Sequence, residues 1–253
     1  MAEGDTILRL AHRLDGTLVG EAVAASAPHP RGEAAGVERL DGMTLEAAEA
    51  RGKHLLLCFG ELSLHSHLGM SGGWHLYRRG AQWRRPRRSA WAVLSAGGWD
   101  AVQFGGPTLE VMRTAKLRRH PRITGLGPDI LAADLDLATA VAAIRTADPA
   151  RELGEALLDQ HLVAGIGNIY KSEACFAAKL SPWRPLGGLS DAALGAVLGD
   201  ARELMSTAVA SGRQPAGIYR RAGGACPRCR GPISSRGQGD ENRTTYWCPR
   251  CQA

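Results

Sequence analysis

Four cysteines near the C-terminus have the residue type and spacing of metal ligands. Cys226 and Cys229 form one C-x2-C pair, Cys248 and Cys251 form a second, and 18 residues separate the pairs. Each pair supplies two thiolates from one tight turn, and four thiolates close a tetrahedral zinc site without an open position for catalysis. We therefore expect a structural Zn²⁺ ion. A redox pair is disfavoured because the βαβ context of thioredoxin-like motifs is absent from the sequence.

The segment between the two cysteine pairs carries side chains that suit contact with nucleic acid. A two-stranded hairpin held by zinc presents such side chains rigidly, although the zinc ligands themselves do not say which nucleic acid is met. The candidates in this segment are Arg230, Arg236, Arg243 and Tyr246.

The charge balance favours an acidic partner. Lys and Arg number 31 against 25 Asp and Glu, which gives a formal charge of +6, and nucleic acid is the commonest partner of a basic protein. Charge alone fits an ordinary basic enzyme equally well. Six arginines fall within residues 78–88 together with Gly80 and Pro86, a pattern that predicts an exposed hairpin loop. This loop is either a solvated surface or a contact to a phosphate backbone.

The sequence predicts a cytoplasmic, nucleoid-associated protein that makes no membrane contact. No run approaches the roughly 18 consecutive apolar residues of a transmembrane helix. The first ten residues, MAEGDTILRL, carry two acids and lack the basic and apolar regions of a signal peptide. In that compartment disulfides are rare. We expect Cys58 and Cys175, which lie in apolar runs, to be buried packing residues.

The periodicity of apolar residues predicts a helix followed by a β domain. Ile7, Leu10, Ala11 and Leu14 recur at helical spacing, so a short amphipathic helix is expected over 6–14. From about residue 17 to 118, short apolar runs separated by glycine-rich turns are typical of a β-sandwich or barrel. The clearest runs are 54–59, 63–70 and 90–95.

Helical periodicity returns in the second half of the chain. Residues 121–132 contain two glycines and two prolines and predict a linker. A glycine-containing turn over 161–168 separates the second and third of four expected helices. These helices are expected over 134–147, 151–159, 168–179 and 190–211.

Six segments, taken in order, resemble the formamidopyrimidine/endonuclease VIII family of DNA glycosylases. Together with the cysteine spacing they are highly specific, and they cover essentially the whole chain. The resemblance is closer to endonuclease VIII of the actinobacterial type than to the 8-oxoguanine enzymes. The segments are MAEGDT (1–6), RGKHLLL (51–57), HLGMSG (67–72), LGPD (126–129), GIGNIYKSE (165–173) and RTTYWCPRCQ (243–252).

The resemblance implies an α+β fold with a DNA partner. An N-terminal catalytic β-sandwich with a leading helix would occupy 1–120, and the linker would follow at 121–132. A helix–two-turn–helix DNA-binding domain would occupy 133–220 and a zinc-finger hairpin 221–253. The protein would be a monomer that binds double-stranded DNA containing damaged bases or abasic sites.

The resemblance also implies a reaction: excision of damaged bases, followed by cleavage at the abasic (AP) site. The amine of residue 2, here Ala2, would be the nucleophile, Glu3 the acid that assists at the sugar, and Lys53 a further member of the catalytic group. Chemistry supports an N-terminal amine, since its pKa of about 8 leaves more neutral amine than the value of about 10.4 for lysine. The imine formed with C1′ then acidifies the C2′ proton and leads to β-elimination.

Extrusion of a base from the duplex costs about a few kcal/mol and needs phosphate contacts and an apolar wedge. By resemblance, Lys53, Asn168 and Arg243 bind the phosphates around the extruded nucleotide, and Met70 enters the vacated stack. Simpler interpretations exist. Lys53 could be a sheet-edge lysine, Asn168 the N-cap of the next helix, and Met70 a core residue. Glu3 could be a helix N-terminal carboxylate.

The sequence departs from the family pattern at two places. The family has proline at residue 2, where this chain has Ala2. Natural variation that keeps activity, natural loss of the lyase step and an engineered substitution are all compatible with alanine, so the rival hypothesis is a damage-binding relative with reduced or no lyase activity. By the resemblance, residues 101–112 lack the Arg and Phe that the 8-oxoguanine enzymes use to fill the void and contact the orphan base, which favours oxidised pyrimidines as substrates.

Overall fold

The computed structural model describes residues 2–252, so the fate of Met1 lies outside the described residues. The chain forms two compact units that divide between Thr124 and Gly125. This division falls within the segment predicted to be a linker, whose first four residues form a short helix, Pro121–Thr124. The boundary expected between residues 220 and 221, where the helix–two-turn–helix domain would meet the zinc-finger hairpin, stays a prediction.

The first unit begins with a helix, α1 (Gly4–Leu18), which confirms the predicted leading helix. It extends beyond the predicted span because Leu18 continues the apolar face at helical spacing and Val19 is the first extended residue. Ile7 and Leu14 are completely buried, so the apolar face packs tightly into the core.

Two four-stranded antiparallel sheets follow, and they confirm the predicted sandwich. The order is β1-β6-β7-β5 in one sheet and β2-β3-β4-β8 in the other. Residues of α1 and of both sheets share one buried apolar cluster, which is the core of this unit. The strands are β1 (Ala24–Ser26), β2 (Ala47–Arg51), β3 (His54–Phe59), β4 (Leu62–His67), β5 (Gly73–Arg78), β6 (Ala92–Ala96), β7 (Trp99–Phe104) and β8 (Thr108–Arg113).

Short helices complete the first unit. α2 (Pro30–Ala35) follows β1, and α3 (Thr114–Leu117) and α4 (Pro121–Thr124) follow β8. The α3–α4 segment, residues 114–124, packs Leu117 and Ile123 against Leu56 of β3 and Met112 of β8. It therefore covers the face of the β2-β3-β4-β8 sheet opposite to the main core.

The arginine-rich segment is exposed as expected, but the prediction of a hairpin is wrong. β5 and β6 do not pair with each other, because each is hydrogen-bonded to an opposite edge of β7. The connection therefore crosses from one edge of β7 to the other. Within it, Trp83 stacks on Tyr77 with 6.0 Å between ring centroids, and the Arg87 guanidinium lies 5.0 Å from the Trp83 ring. These contacts anchor an otherwise exposed basic connection.

The second unit contains the four expected helices around one apolar core, each slightly shorter than predicted. Their ends are set by local signals. The Asp136 side chain accepts from the amide of Ala138, the Ser190 side chain accepts from the amide of Ala193, and Gly212 ends the last helix with a φ of 73°. The helices are α5 (Leu137–Arg145), α6 (Leu153–Leu158), α7 (Asn168–Ala177) and α8 (Asp191–Ser211).

The second unit ends in a two-stranded antiparallel hairpin, β9 (Ser234–Gln238) and β10 (Arg243–Trp247). A small buried cluster joins Phe176 of α7 to Ile218, Ile233 and two of the cysteines. Within residues 2–252, no helix has the length and apolar character needed to cross a membrane.

Candidate active site and zinc centre

A cavity of about 280 Å³ in the first unit brings together two of the predicted site residues, Ala2 and Met70. Arg9 and Arg13 of α1 and His75 of β5 also line it. Sequence analysis missed Arg9 and Arg13. Their spacing of four residues on one face of an amphipathic helix, next to the N-terminus, was the signal that could have found them.

Ala2 and Glu3 are held firmly beside this cavity. Ala2 is half-buried against the main core, and Glu3 is completely buried at the N-cap of α1. The Glu3 carbonyl accepts hydrogen bonds from the amides of Thr6 and Ile7 at 3.0 and 3.2 Å. The N-terminus of a helix favours negative charge, so the position suits a carboxylate. Because α1 is buried on one face, the backbone at Ala2 is fixed relative to the cavity wall.

Met70 is exposed over 71% of its surface, so the interpretation of it as a core residue is wrong. It sits in the turn between β4 and β5, where the amide of Gly72 donates to the carbonyl of Leu68 at 2.9 Å. A Cβ on Gly72 would lie 2.6 Å from that carbonyl oxygen, so only glycine fits. The turn therefore presents a large apolar side chain outward from a rigid base.

Lys53 lies in the two-residue turn of the β2–β3 hairpin, rather than along an edge strand. Its partner in the turn, Gly52, has a φ of 56°, which is the geometry that a tight hairpin of this kind requires. Burial, and then the positive charge of Lys53, lower the pKa of the nearby His67. Lys53 is thus held at the tip of a rigid hairpin, next to a cluster of histidines.

Asn168 is the first residue of α7, and the N-cap is Gly167, so the interpretation of Asn168 as the N-cap is wrong. The Asn168 side chain is buried and its Nδ2 donates to the carbonyl of Thr244 in β10 at 2.7 Å. Among the described residues, its Oδ1 has no hydrogen-bond partner. A buried acceptor without a partner is costly, and it leaves one polar atom of Asn168 available for a ligand.

Arg243 lies directly before Thr244, whose carbonyl accepts the hydrogen bond from Asn168, so Arg243 lies close to Asn168. Its guanidinium pairs with Glu241, with Nε and Nη2 at 2.8 and 2.7 Å from the same carboxylate oxygen. The Arg243 side chain is 41% exposed and the Glu241 side chain 74% exposed. An exposed pair of this kind contributes at most about 1 kcal/mol, so an anionic ligand can displace Glu241.

The predicted site residues thus fall into two groups. The first unit, which ends at Thr124, contains four of them: Ala2, Glu3, Lys53 and Met70. The second unit contains the other two, Asn168 and Arg243.

Two further charged residues of α7 are structural. Glu173, also found in a family segment, accepts the amides of Ile218 and Tyr219, each at 2.9 Å. Lys171 is completely buried and donates to Thr245 of β10. Sequence analysis did not single out Lys171, because nothing in a single sequence distinguishes a buried lysine from a surface one.

The four C-terminal cysteines converge and fit a zinc ion. Their sulfur atoms lie within 4.8 Å of one another. The Sγ–Sγ distances are 3.9 Å between Cys226 and Cys251 and 3.5 Å between Cys229 and Cys248. A tetrahedron with Zn–S bonds of about 2.3 Å needs sulfur atoms about 3.8 Å apart. The site binds a structural Zn²⁺.

The remaining two cysteines do not join this cluster. Burial raises the pKa of the Cys175 thiol to about 12, which makes it inert. Cys58 is half-buried in β3, and burial raises the pKa of its thiol as well.

Comparison with known proteins accounts for nearly the full chain. Residues 1–105 match the formamidopyrimidine-DNA glycosylase N-terminal domain, residues 126–219 match the H2TH domain of the same enzymes, and residues 223–253 match the zinc finger found in FPG and IleRS. The chain belongs to the formamidopyrimidine-DNA glycosylase/endonuclease VIII family. This result confirms the resemblance drawn from the six sequence segments.

Individual members of the family align over the full chain. It is 40% identical to the probable endonuclease 8 2 of Streptomyces coelicolor, covering 100% of this chain and 94% of the relative. It is 34% identical to the DNA-(apurinic or apyrimidinic site) lyase Nei2 of Mycolicibacterium smegmatis, with coverage of 100% and 99%. The fold matches Lactococcus lactis Fpg in complex with DNA containing N7-benzyl-Fapy-dG, with a TM-score of 0.83, 23% identity and 99% coverage of both chains.

We predict that zinc loss unfolds the hairpin and leaves the first unit folded. Zinc binding to four thiolates contributes on the order of 10 kcal/mol to the folded form. In Cys229→Ser or chelated protein, amides of β9 and β10 should exchange rapidly with deuterium, and those of β3 and β4 should stay protected. Cys58→Ser is the matched control and should keep one zinc in this centre. Unchanged protection of the hairpin in zinc-free protein would contradict the structural role.

Proposed function

We propose that this chain is a base-excision repair DNA glycosylase with AP lyase activity that acts on damaged bases in duplex DNA. The observation that carries the proposal is the cavity where Ala2, next to the buried Glu3, faces a turn that presents the exposed Met70. A buried carboxylate beside a fixed N-terminal residue suits attack on a sugar carbon, and an exposed apolar side chain suits a gap in stacked bases. Acting on chromosomal DNA, the protein works at the nucleoid.

The proposed reaction requires removal of Met1, so that Ala2 carries the free amine. The amine nitrogen bonds to C1′ of the extruded nucleotide, and the damaged base leaves with the electrons of its glycosidic bond. Glu3 donates a proton at the sugar. The proton that the attacking amine loses goes to the departing base, and the proton from Glu3 goes to the ring oxygen O4′ as the C1′–O4′ bond breaks. The ring opens to a protonated imine at C1′, which acidifies the C2′ proton. Removal of that proton expels the 3′-phosphate, and hydrolysis of the imine regenerates the amine.

DNA binding in this proposal draws on both units. Lys53 at its hairpin tip and Arg243 beside Asn168 contact phosphates around the extruded nucleotide, while Met70 fills the vacated stack. Arg9 and Arg13 at the cavity add positive charge near the reacting sugar. The exposed arginines of residues 78–88 contribute sequence-independent attraction to the backbone.

The proposed substrates are oxidised pyrimidines. The β7–β8 connection, in the region where the 8-oxoguanine enzymes carry their Arg and Phe, consists here of Gly105, Gly106 and Pro107. Gly105 and Gly106 have φ values of 65° and 113°, and a Cβ on Gly106 would lie 2.9 Å from the carbonyl oxygen of His67. A side chain at Gly106 therefore has no room, and the positive φ at Gly105 disfavours one there, so this turn does not provide a bulky side chain to contact an orphan base.

A second candidate function is recognition of damage without strand cleavage. Ala2 favours it, because a primary amine gives an imine that can lose its nitrogen proton and become a poorer electron sink than the iminium of proline. The alanine nitrogen is also less restricted, and misplacement of a reacting group costs on the order of a hundredfold in rate.

We predict that Ala2→Pro raises strand cleavage and covalent trapping by borohydride on an abasic-site duplex, with little change in DNA affinity. Glu3→Gln should abolish base release. The assay combines trapping with separate measurement of base release and strand cleavage, and intact mass reports whether Met1 is present. If Ala2→Pro alters neither step while Glu3→Gln abolishes base release, the amine of residue 2 takes no part in the reaction.

We predict that cleavage of duplexes containing oxidised pyrimidines exceeds cleavage of 8-oxoguanine opposite cytosine by at least about tenfold, because the wedge for an orphan base is missing. A panel of matched duplexes under single-turnover conditions measures this ratio. An abasic-site duplex of the same sequence controls for differences in DNA binding. Preference for 8-oxoguanine would contradict the substrate proposal.

We predict that Glu241→Gln tightens DNA binding by up to about fivefold, because it releases Arg243 from an exposed ion pair worth at most about 1 kcal/mol. Arg243→Ala and Lys53→Ala should each weaken binding and lower the salt slope by about one. Titrations at several salt concentrations measure both effects.

The matched control for Glu241→Gln is Asp191→Asn, which neutralises a carboxylate of similar exposure, 76%, paired with Arg145. Equal effects of Glu241→Gln and Asp191→Asn would mean that net charge alone acts, and would contradict a specific role for the Arg243 pair.

A further inference from the structure

A second group of metal-ligating side chains lies in the first unit, far along the sequence from the cysteines. One ligand atom from each of His65, Glu110 and His120 lies within 4.8 Å of the other two. His65 Nδ1 is 2.9 Å from Glu110 Oε1, and His120 Nε2 is 3.6 Å from the same oxygen. Ligands of one zinc ion, at about 2.0–2.2 Å from the metal, lie about 3.3 Å from each other.

The fold itself assembles this group. His65 of β4 and Glu110 of β8 are direct cross-strand partners, so their side chains share one face of the sheet. It is the face that the α3–α4 segment covers, and His120 lies in that segment. Three ligands from two strands and the covering segment therefore meet at one point.

The group is buried on one side and accessible to solvent on the other. The His65 side chain is completely buried, whereas that of His120 is 18% exposed and that of Glu110 is 39% exposed. A metal ion at this point would have protein ligands on its inner side and room for water on the outer side. Three protein ligands with an open fourth position are the arrangement of accessible zinc sites.

A further histidine orients the buried ligand. His54 Nδ1 lies 2.8 Å from His65 Nε2, on the side of the ring opposite to Glu110. Metal-binding histidines almost always hydrogen-bond through the nitrogen that does not bind the metal. When a metal binds His65 Nδ1, the ring proton of His65 is on its Nε2, and this N–H donates to His54 Nδ1. The ring proton of His54 is then on the Nε2 atom of His54. This rearrangement of tautomers releases no net proton.

We propose that His65 Nδ1, His120 Nε2 and the Glu110 carboxylate form a second divalent metal site, suited to Zn²⁺ and separate from the four-cysteine centre. Two imidazoles and one carboxylate are donors that zinc favours. The bound ion fastens the α3–α4 segment to β4 and β8, alongside the hydrogen bond from Arg122 Nη1 to Thr108 Oγ1 at 3.0 Å. The proposal does not depend on the DNA glycosylase function.

The competing account is a metal-free chain of hydrogen bonds from His54 through His65 to Glu110. The two accounts differ in zinc stoichiometry. Full-length protein dialysed against micromolar ZnCl₂ should hold two zinc ions per chain, as measured by mass spectrometry of the metal. Glu110→Gln and His120→Gln should each lower this to one, while His161→Gln, which alters an exposed histidine bonded to Gly125 instead, should keep two.

Cobalt substitution identifies which site each variant loses. The four-cysteine centre gives intense thiolate-to-cobalt bands, and the second site should add only weak bands from nitrogen and oxygen ligands. Glu110→Gln should remove the weak bands and leave the thiolate bands. ZnCl₂ should raise the thermal unfolding temperature of the parent and His161→Gln chains by more than that of Glu110→Gln and His120→Gln, which keep only the four-cysteine centre. One zinc ion per chain in every folded protein, or two in Glu110→Gln and His120→Gln, would overturn the proposal.

Discussion

The burial of one face of α1 is the constraint on which the candidate active site depends. Ile7 and Leu14 are completely buried in the apolar cluster that α1 shares with both sheets, so the helix cannot rotate or slide without exposing apolar surface, at about 25 cal/mol for each Å². Ala2 and Glu3, directly before the helix, are therefore also held in place. Ordinarily the end of a chain is among its least ordered parts. Here Ala2 is held in place, because a fully packed helix begins two residues after it.

In the second unit, zinc and polar contacts fix the position of the C-terminal hairpin. Its C-terminal hairpin is too small to bury a substantial core, and zinc supplies the missing stability. The hairpin is then joined to α7 by buried hydrogen bonds, from Asn168 to the Thr244 carbonyl and from Lys171 to Thr245. Buried polar groups require partners of defined geometry. The orientation of Arg243 on β10 is therefore tied to the first turn of α7.

Local apolar patterns and metal-ligand spacing were sufficient to predict several strands and helices and the zinc centre. The 54–59 run matches β3 at both ends, the four helices of the second unit differ from expectation by a few residues, and the four-cysteine centre forms as its spacing indicated. The prediction failed where partners are distant in sequence. Nothing local showed that β5 and β6 would occupy opposite edges of β7, or that Gly167 rather than Asn168 would be the N-cap of α7. The histidine cluster escaped notice because the pairing of His65 with Glu110 spans 45 residues.

The β2–β3 turn limits how this chain can vary in length. β3 is buried on both faces: Leu55 and Leu57 face the main core, while Leu56 packs beneath the α3–α4 segment. Since side chains alternate along a strand, a single residue inserted or deleted at Gly52–Lys53 would shift the pairing by one and drive His54 and Cys58 toward the main core. Insertions and deletions at the tip are therefore not tolerated, and the φ of 56° at Gly52 favours glycine there. Across relatives, this hairpin should therefore remain constant in length.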